Sequence, residues 1–254
     1  MSAFAFLKKE IFEIIKTHKI YILPAVFLFF GFLSPLTAKF APQLMEATLK
    51  SYGMTFQKLP EPSFIDSYAQ LFKNISQLCF VVILVFAGTI VGEKVKGTAI
   101  LILTKPVSRA KFILSKFIAA ISLYTAAFIL ASIACIYYTY LLFPVFYNDK
   151  LLLSLFTLWV FGAFLISLTI FVSTVGKSFT ISAVLGIAGF LLISALTIIP
   201  YVGKYSPGIF GSLGLDILSG KSLPIDAVAP LITTIIVSVV FVFGSIFIFK
   251  RQEI

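Results

Sequence analysis

Charged residues are scarce in this chain and are missing from its long apolar segments. The 254 residues are 60% hydrophobic and only 12% charged, with a mean hydropathy of +1.09, whereas a soluble domain averages about 45–50% apolar and about 25% charged residues. Proton relays, ion sites and voltage sensors normally place charges inside the membrane, so their absence argues against a proton- or sodium-driven transporter. Six segments lack Asp, Glu, Lys, Arg and His and are long enough to span a bilayer: 20–38, 74–92, 117–148, 151–176, 178–203 and 227–249.

Side chains that could ligate a metal or act in catalysis are also few. Histidine occurs once, at His18, and the two cysteines, Cys79 and Cys135, lie in apolar segments without a metal-binding spacing. The spans therefore offer no site for a metalloprotease, a lipid phosphotransferase or a Ser–His pair. The phosphate-loop pattern GxxxxGK[ST] is missing too, so we expect no ATP binding by that route. We predict that the chain is not an enzyme and contains no catalytic residue, metal or cofactor.

Composition and segment length predict an all-α membrane protein with a single domain over residues 1–254. Six spans place both termini on one side, and Lys and Arg accumulate on the cytoplasmic side of membrane proteins. With the termini inside, thirteen of the 20 Lys and Arg residues are cytoplasmic. We therefore expect a multi-pass protein of the cell (plasma) membrane with cytoplasmic termini. The spans are expected at about residues 20–38, 74–92, 112–143, 151–176, 178–200 and 228–249.

The N-terminal residues 3–18 predict an amphipathic helix that lies in the inner membrane surface. Apolar residues recur at helical spacing, and charged residues occupy the other face, with the lysines expected to face anionic headgroups. The helix could be a simple anchor, or it could also carry force into the first span. Its apolar face comprises Phe4, Leu7, Ile11, Ile14 and Ile15, and its charged face comprises Lys8, Lys9, Glu10, Glu13 and Lys16.

The segments on the outer side contain shorter helix signals. Residues 40–53 predict a short helix with Pro42 in its first turn, and residues 62–74 predict another that Ser63 caps and that leads into the second span. This outer loop could be a lid without substrate contact or an outer gate. The Gly-, Ser- and Pro-rich segment after the fifth span predicts a loop with one short helix around 209–218.

Small residues at helix-packing intervals indicate where spans approach closely. Gly88 and Gly92 form a GxxxG pattern in the second span, and Gly186 lies on a similar row in the fifth. A further row, in the third span, comprises Ala127, Ala131 and Cys135.

The stretch GEKVKGTAILILTKPVSR, residues 92–109, joins the second and third spans. Its apolar run AILIL is far too short to span, so it should lie at the interface or be covered by protein. Pro106 disfavours helix at the preceding residue, and Ser108 can cap a new helix that starts at Arg109. The pattern predicts a short cytoplasmic helix held crosswise between two spans. It could be bound by another protein, or it could be an ordinary amphipathic re-entry loop with its lysines on headgroups.

The order of these motifs resembles the permease (transmembrane) subunits of type-2 ATP-binding-cassette (ABC) exporters. The resemblance rests on FLKKE at 6–10, GEKVKGT at 92–98, KPVSR at 105–109 and SKF at 115–117, and it covers essentially the whole chain. In that family the segment after the second span is a coupling helix that docks on the ATPase subunit. The resemblance thus implies a coupling element formed by Glu93, Lys96, Gly97, Thr98, Leu101, Leu103, Pro106 and Arg109.

The resemblance also implies the partners and the activity. We expect two copies of a separate ABC ATPase subunit that binds ATP and Mg, a second permease chain, most simply as a homodimer, and the lipid bilayer, but no nucleic acid. A path without buried charge suits a hydrophobic or amphipathic substrate, such as a peptide, exported by an ATP-driven permease. Two alternatives remain open at this point: a non-transporting membrane scaffold or immunity protein, and a passive channel.

Overall fold

A computed structural model describes residues 3–52, 61–98, 108–199 and 201–252 of the chain. All regular secondary structure in these ranges is helical. Short 3-10 turns occupy Gly203–Tyr205, Pro207–Ile209 and Pro224–Ala227. The α-helices in the described ranges are α1 (Ala3–Lys16), α2 (Lys19–Ser51), α3 (Phe64–Gln77), α4 (Cys79–Val95), α5 (Arg109–Leu142), α6 (Leu151–Val175), α7 (Phe179–Leu196), α8 (Phe210–Leu218) and α9 (Val228–Arg251).

Six helical stretches of the described residues are long and apolar enough to cross a membrane. They are α2, the α3–α4 unit, α5, α6, α7 and the stretch that contains α9. This confirms the predicted all-α architecture with six candidate spans and indicates a multi-pass membrane protein. Large apolar side chains on the outer faces of α7 and α9 are exposed, which a lipid solvent permits.

Two helix starts follow from short-range capping signals, as predicted, and the predicted short helix after the fifth span is also present. The helix α3 starts after Ser63, whose backbone N–H donates to Asp66 Oδ2 at 2.7 Å. The helix α5 starts at Arg109, and Ser108 Oγ accepts a hydrogen bond from the Lys111 backbone N–H at 3.3 Å. The short helix expected around 209–218 is α8.

The prediction of a separate outer helix over 40–53 is wrong. The first span continues without a break to Ser51, so α2 has 33 residues and contains Pro24, Pro35 and Pro42. A proline removes one backbone hydrogen bond, but it does not have to end a membrane helix, because neighbouring groups can satisfy the freed carbonyl. Pro42 therefore lies inside a helix rather than in its first turn.

The helix α6 forms the centre of the bundle. Of its most apolar 18-residue window, 78% is buried, compared with 17% for α7 and 22% for the stretch containing α9. It packs against α4, α7, α8 and α9, while α2 packs along α5 and α3. At the α2–α5 contact, Ala127, Ala131 and Cys135 are fully buried, and a Cβ on Gly31 would lie 2.6 Å from the Ala131 carbonyl oxygen. The small residues of α5 thus let α2 approach closely.

Several helix ends meet at one end of the bundle, called the terminal end below. Lys94, in the last turn of α4, donates to the Thr174 carbonyl of α6 at 2.8 Å, and Gln252, just after α9, donates to the same carbonyl at 3.1 Å. Arg109, at the start of α5, also contacts the end of α9. The helix α1 lies at this end as well, against α5 and the start of α2.

Candidate functional site

The helix α1 turns part of its charged side toward the bundle. Glu10 is only 3% exposed and Phe6 only 2%, and the Phe6 ring lies 5.7 Å from the Phe112 ring of α5. Of the predicted apolar face, Ile11 is exposed, and Leu7 and Ile14 are partly buried; the side chain of Phe4 lies outside the described residues. Ile11 and Ile15 of the predicted apolar face are therefore exposed, whereas Ile14 packs against the core of the bundle.

Five charged side chains form an ion cluster at the terminal end: Lys9, Glu10, Glu13, Glu93 and Lys116. Lys116 Nζ lies 2.9 Å from Glu10 Oε2 and 2.9 Å from Glu93 Oε1. Lys9 Nζ lies 2.6 Å from Glu93 Oε1, 2.7 Å from Glu13 Oε2 and 3.0 Å from Glu10 Oε1. The cluster thus joins α1 to α4 and α5, although α1 is far from both in sequence.

Lys9 does not face headgroups as the sequence pattern predicted, because three carboxylates of the protein contact its ammonium group. Lys8 and Lys16 are exposed and remain free to face the membrane surface. Sequence periodicity assigned all the lysines of α1 to one solvated face. In the structure one side of that face, with Lys9, contacts carboxylates of the protein, and the other side, with Lys8 and Lys16, is exposed.

Lys116 is the most deeply buried member, with 1% of its side chain exposed. Sequence reasoning did not predict this burial: it counted Lys116 among the cytoplasmic charges, since the charge-free segment 117–148 starts one position later. The structure begins α5 at Arg109, which places Lys116 two turns inside a spanning helix. A signal was present: Phe112, Ala119 and Ala120 share its helical row and are buried.

Burial of so many charges is tolerated only because each has close partners. Moving an ion into a protein interior costs several kcal/mol, which attraction repays only when the geometry is good and hydrogen bonds satisfy the group. In the cluster both ammonium groups contact at least two carboxylates. One acceptor, Glu93 Oε2, is enclosed and has no donor among the described residues.

Two cluster members on α1, Glu13 and Lys9, remain ionised at neutral pH. Burial favours the neutral form of Glu13, but the nearby Lys116 charge and the hydrogen bond from Lys9 hold the pKa of Glu13 at about 2. Burial likewise opposes the charged form of Lys9, yet its hydrogen bonds to Glu13 and Glu93 raise the pKa of Lys9 above its ordinary value. The mutual pairing therefore outweighs the desolvation of each group.

Oxygens of Glu10, Glu13 and Glu93 lie within 4.8 Å of one another, a spacing that could hold a metal ion. The ammonium groups of Lys9 and Lys116 contact oxygens of the same carboxylates. Among the described residues, the two lysines thus offset two of the three carboxylate charges.

The structure describes only some of the residues predicted to form the coupling element, and these have different surroundings. Glu93 belongs to the ion cluster, and its carbonyl accepts a hydrogen bond from Thr98 Oγ1 at 3.3 Å. Lys96 is exposed just beyond α4, and Gly97 adopts a left-handed φ of 69° that favours glycine. The predicted positions Leu101, Leu103 and Pro106 lie outside the described residues.

Arg109 holds the last helix rather than extending into solvent. Its guanidinium Nη1 donates to the carbonyls of Phe249 at 2.8 Å, Lys250 at 3.1 Å and Gln252 at 2.8 Å. A cation is favourable at a helix C-terminus, where the last carbonyls lack partners within the helix. The start of α5 is therefore fastened to the end of α9.

A groove of about 620 Å³ opens beside the ion cluster, between α1, α4 and the start of α7. It is called the α4 groove here, and its wall includes Lys19, Lys96 and the two glycines of the GxxxG pattern. A Cβ on Gly88 would lie 3.1 Å from the Phe179 ring, whereas a Cβ on Gly92 would meet nothing within 4 Å. Gly92 thus opens the groove instead of admitting a neighbouring helix.

The third predicted packing glycine lies at a close helix contact. A Cβ on Gly186 of α7 would come within 2.7 Å of Ile83 Cγ2 on α4. This approach brings α7 against α4.

Comparison with known proteins gives one family. No curated protein matches the chain. A family model described as "Protein of unknown function (DUF2705)" matches residues 42–254, which include Glu93, Lys116 and Arg109 but not the α1 members of the ion cluster. Because this match covers most of the sequence, the chain belongs to the DUF2705 family.

Proposed function

We propose that this chain is the permease subunit of an ATP-driven ABC exporter in the cell membrane. Both termini would be cytoplasmic, and a separate ATPase subunit would bind the connection between α4 and α5. The observation that carries the proposal is the anchoring on both sides of that connection. Glu93 before it and Lys116 after it belong to one ion cluster, and Arg109 fastens the start of α5 to α9.

This anchoring suits a segment that transmits force. A displacement of residues 99–107 would act on α4 and α5 together, because separating them breaks the buried pair between Lys116 and Glu93. The same displacement would act on α1 through Glu10 and on α9 through Arg109. ATP-driven closure of the ATPase subunits would then switch the spans as a rigid body between two packings.

The partners follow from the same proposal. The chain has no phosphate loop, so two ATPase copies would supply ATP and Mg, and a second permease chain would complete the path, with a homodimer as the simplest assembly. A hydrophobic or amphipathic cargo, such as a peptide, is favoured by an apolar cavity of about 250 Å³ between α5, α6 and α9. Aromatic residues in its wall are Phe117, Phe156, Trp159 and Phe164.

The test replaces residues 99–103 with a Gly-Ser linker of equal length. Purification in mild detergent from the source membrane should recover the original chain with a companion that contains a phosphate loop and hydrolyses ATP, and vesicles containing both should show ATP-dependent transport. The linker variant should lose the companion but keep its thermal stability, because the anchors on either side remain. The matched control is Tyr201→Ser, a 91% exposed position beyond the far end of α7, which should change neither property.

Each alternative gives a different result. A linker variant that keeps its companion and its ATP-dependent transport would overturn the proposal. Conductance through liposomes without nucleotide would indicate a channel, and a bound ATPase without any transport would indicate a scaffold.

A further inference from the structure

Two lysines at the α4 groove have no carboxylate partner among the described residues. Lys19 is half-buried at the start of α2, and its ammonium lies 5.8 Å from the centre of the Phe86 ring. Lys96, just beyond the end of α4, is exposed and also lines the groove. Lys9, in the same wall, is by contrast fully engaged with three carboxylates. A partly desolvated cation without a counter-ion is unfavourable, so this wall attracts an anion.

Glu13 and Glu93 also line the groove, and Lys9 pairs with both of them. The part of the groove that lies deeper along α4 is apolar. Val85, Gly88, Gly92 and Phe179 line it, and residues 85–92 of the helix extend about 10 Å toward the middle of the span. At the end of the groove near the C-terminus of α4, Gly92 has no side chain and no neighbour fills the space, since a Cβ there would have no atom within 4 Å. Polarity therefore falls from the end of α4 inward, in the same order as in a phospholipid from headgroup to acyl chain.

We infer that the α4 groove binds an anionic glycerophospholipid. Its phosphate lies at Lys19 and Lys96, and an acyl chain follows Gly92, Gly88 and Val85 into the bilayer. The groove volume of about 620 Å³ is within the usual range of ligand sites, about 300–1,000 Å³. A free phosphate would satisfy the lysines but would leave the apolar part unfilled, which favours the lipid. This site does not depend on whether the chain is an exporter subunit.

The experiment measures lipid binding to the purified full chain by native mass spectrometry. Dioleoyl phosphatidylglycerol is titrated against dioleoyl phosphatidylcholine, and the apparent Kd of each is compared. The chain should prefer phosphatidylglycerol, and Lys19→Gln should weaken that lipid about fivefold, the value of one lysine near an anionic surface, without affecting phosphatidylcholine. The matched control is Lys8→Gln, which removes an equal charge from an exposed position of α1 and should leave the preference intact.

Two further variants make the result decisive. Gly92→Leu should weaken phosphatidylglycerol severalfold by filling the groove, although it removes no charge. If Lys19→Gln unfolds in the detergent, the exposed Lys96→Gln carries the same test. Equal losses for Lys8→Gln and Lys19→Gln, or no preference for phosphatidylglycerol, would overturn the proposal in favour of diffuse surface attraction. Competition by inorganic phosphate, together with an unaffected Gly92→Leu, would overturn the lipid in favour of a small anion.

Discussion

Replacing Lys116 by methionine should destabilise the protein by about 3–5 kcal/mol, the usual effect of removing one partner from a buried ion pair. The side chain is 1% exposed, and its ammonium contacts Glu10 Oε2 and Glu93 Oε1 at 2.9 Å each. Methionine keeps the unbranched apolar stem and lacks only the terminal ammonium group, so packing changes little. The loss would arise because three carboxylates would then share the single ammonium of Lys9, which is 35% exposed.

The assay is reversible unfolding in mixed micelles with increasing dodecyl sulfate. Trp159 is the only tryptophan of the chain and lies in α6, at the centre of the bundle, so its fluorescence reports on the fold. The matched control is Lys50→Met, which removes the same group from an exposed pair with Glu46, 3.8 Å apart with side chains 74% and 54% exposed. A surface pair contributes about 0–1 kcal/mol, so this variant should unfold almost like the original.

A double-mutant cycle separates the ion pair from other effects of the substitution. Glu10→Gln combined with Lys116→Met should show a coupling of about 0.5–3 kcal/mol, since the two side chains contact directly. If Lys116→Met lost no more stability than Lys50→Met, or if the two cluster substitutions were simply additive, the reasoning about a buried ion cluster would be refuted.

Three further predictions concern the pH dependence, the last helix and the glycines. The pKa of Glu13 is lowered from 4.5 to about 2, so its contribution to the docking of α1 is complete above about pH 4.5 and is lost as the pH falls toward 2; hydrogen exchange of α1 should show this loss, and an unchanged profile in Glu13→Gln would contradict it. Arg109→Gln should speed hydrogen exchange at the end of α9 and cost about 1–2 kcal/mol, at the low end for charged hydrogen bonds because the site is partly exposed; unchanged exchange would show that the cap has no effect. Gly31→Ala should cost about 1–3 kcal/mol by overpacking against the Ala131 backbone, whereas Gly92→Ala should be neutral or stabilising by up to about 1 kcal/mol, and thermal unfolding that reversed this order would refute the assigned contacts.

The helices themselves were predictable because their signals are local. Long apolar runs indicate spans whatever surrounds them, and the caps at Ser63 and Ser108 act within three residues. The prediction for the outer part of α2 was wrong for an equally local reason. Pro42 is typical of the first turn of a helix, but membrane helices also accommodate proline inside them.

The ion cluster could not be predicted, because its partners are far apart in sequence. Lys116 lies 106 positions from Glu10, and Lys9 lies 84 positions from Glu93. Each charge borders an apolar segment, where Lys and Glu usually mark the membrane interface. The bonds from Arg109 to the end of α9 span about 140 positions and give no sequence signal either. Only the packing of α1 against α5 and α4 distinguishes these residues from ordinary flanking charges.

The glycines show the same limit of pattern reading. The GxxxG pair of α4 predicted a helix contact, but Gly92 opens a groove, and the tight contact of α2 with α5 uses Gly31, which belongs to no such pair. Spacing shows where a close approach is sterically allowed. Which of these positions a neighbour fills is decided by the tertiary arrangement.

A photo-reactive amino acid at Leu103, in cells that produce the chain, tests whether another protein binds the connection between α4 and α5. We expect a cross-linked adduct with a subunit that carries a GxxxxGK[ST] phosphate loop, and no such adduct from the same group at Tyr201. The proposal would be contradicted if Leu103 formed no adduct with any such subunit, or if an impermeant thiol reagent outside intact cells labelled a cysteine at that position.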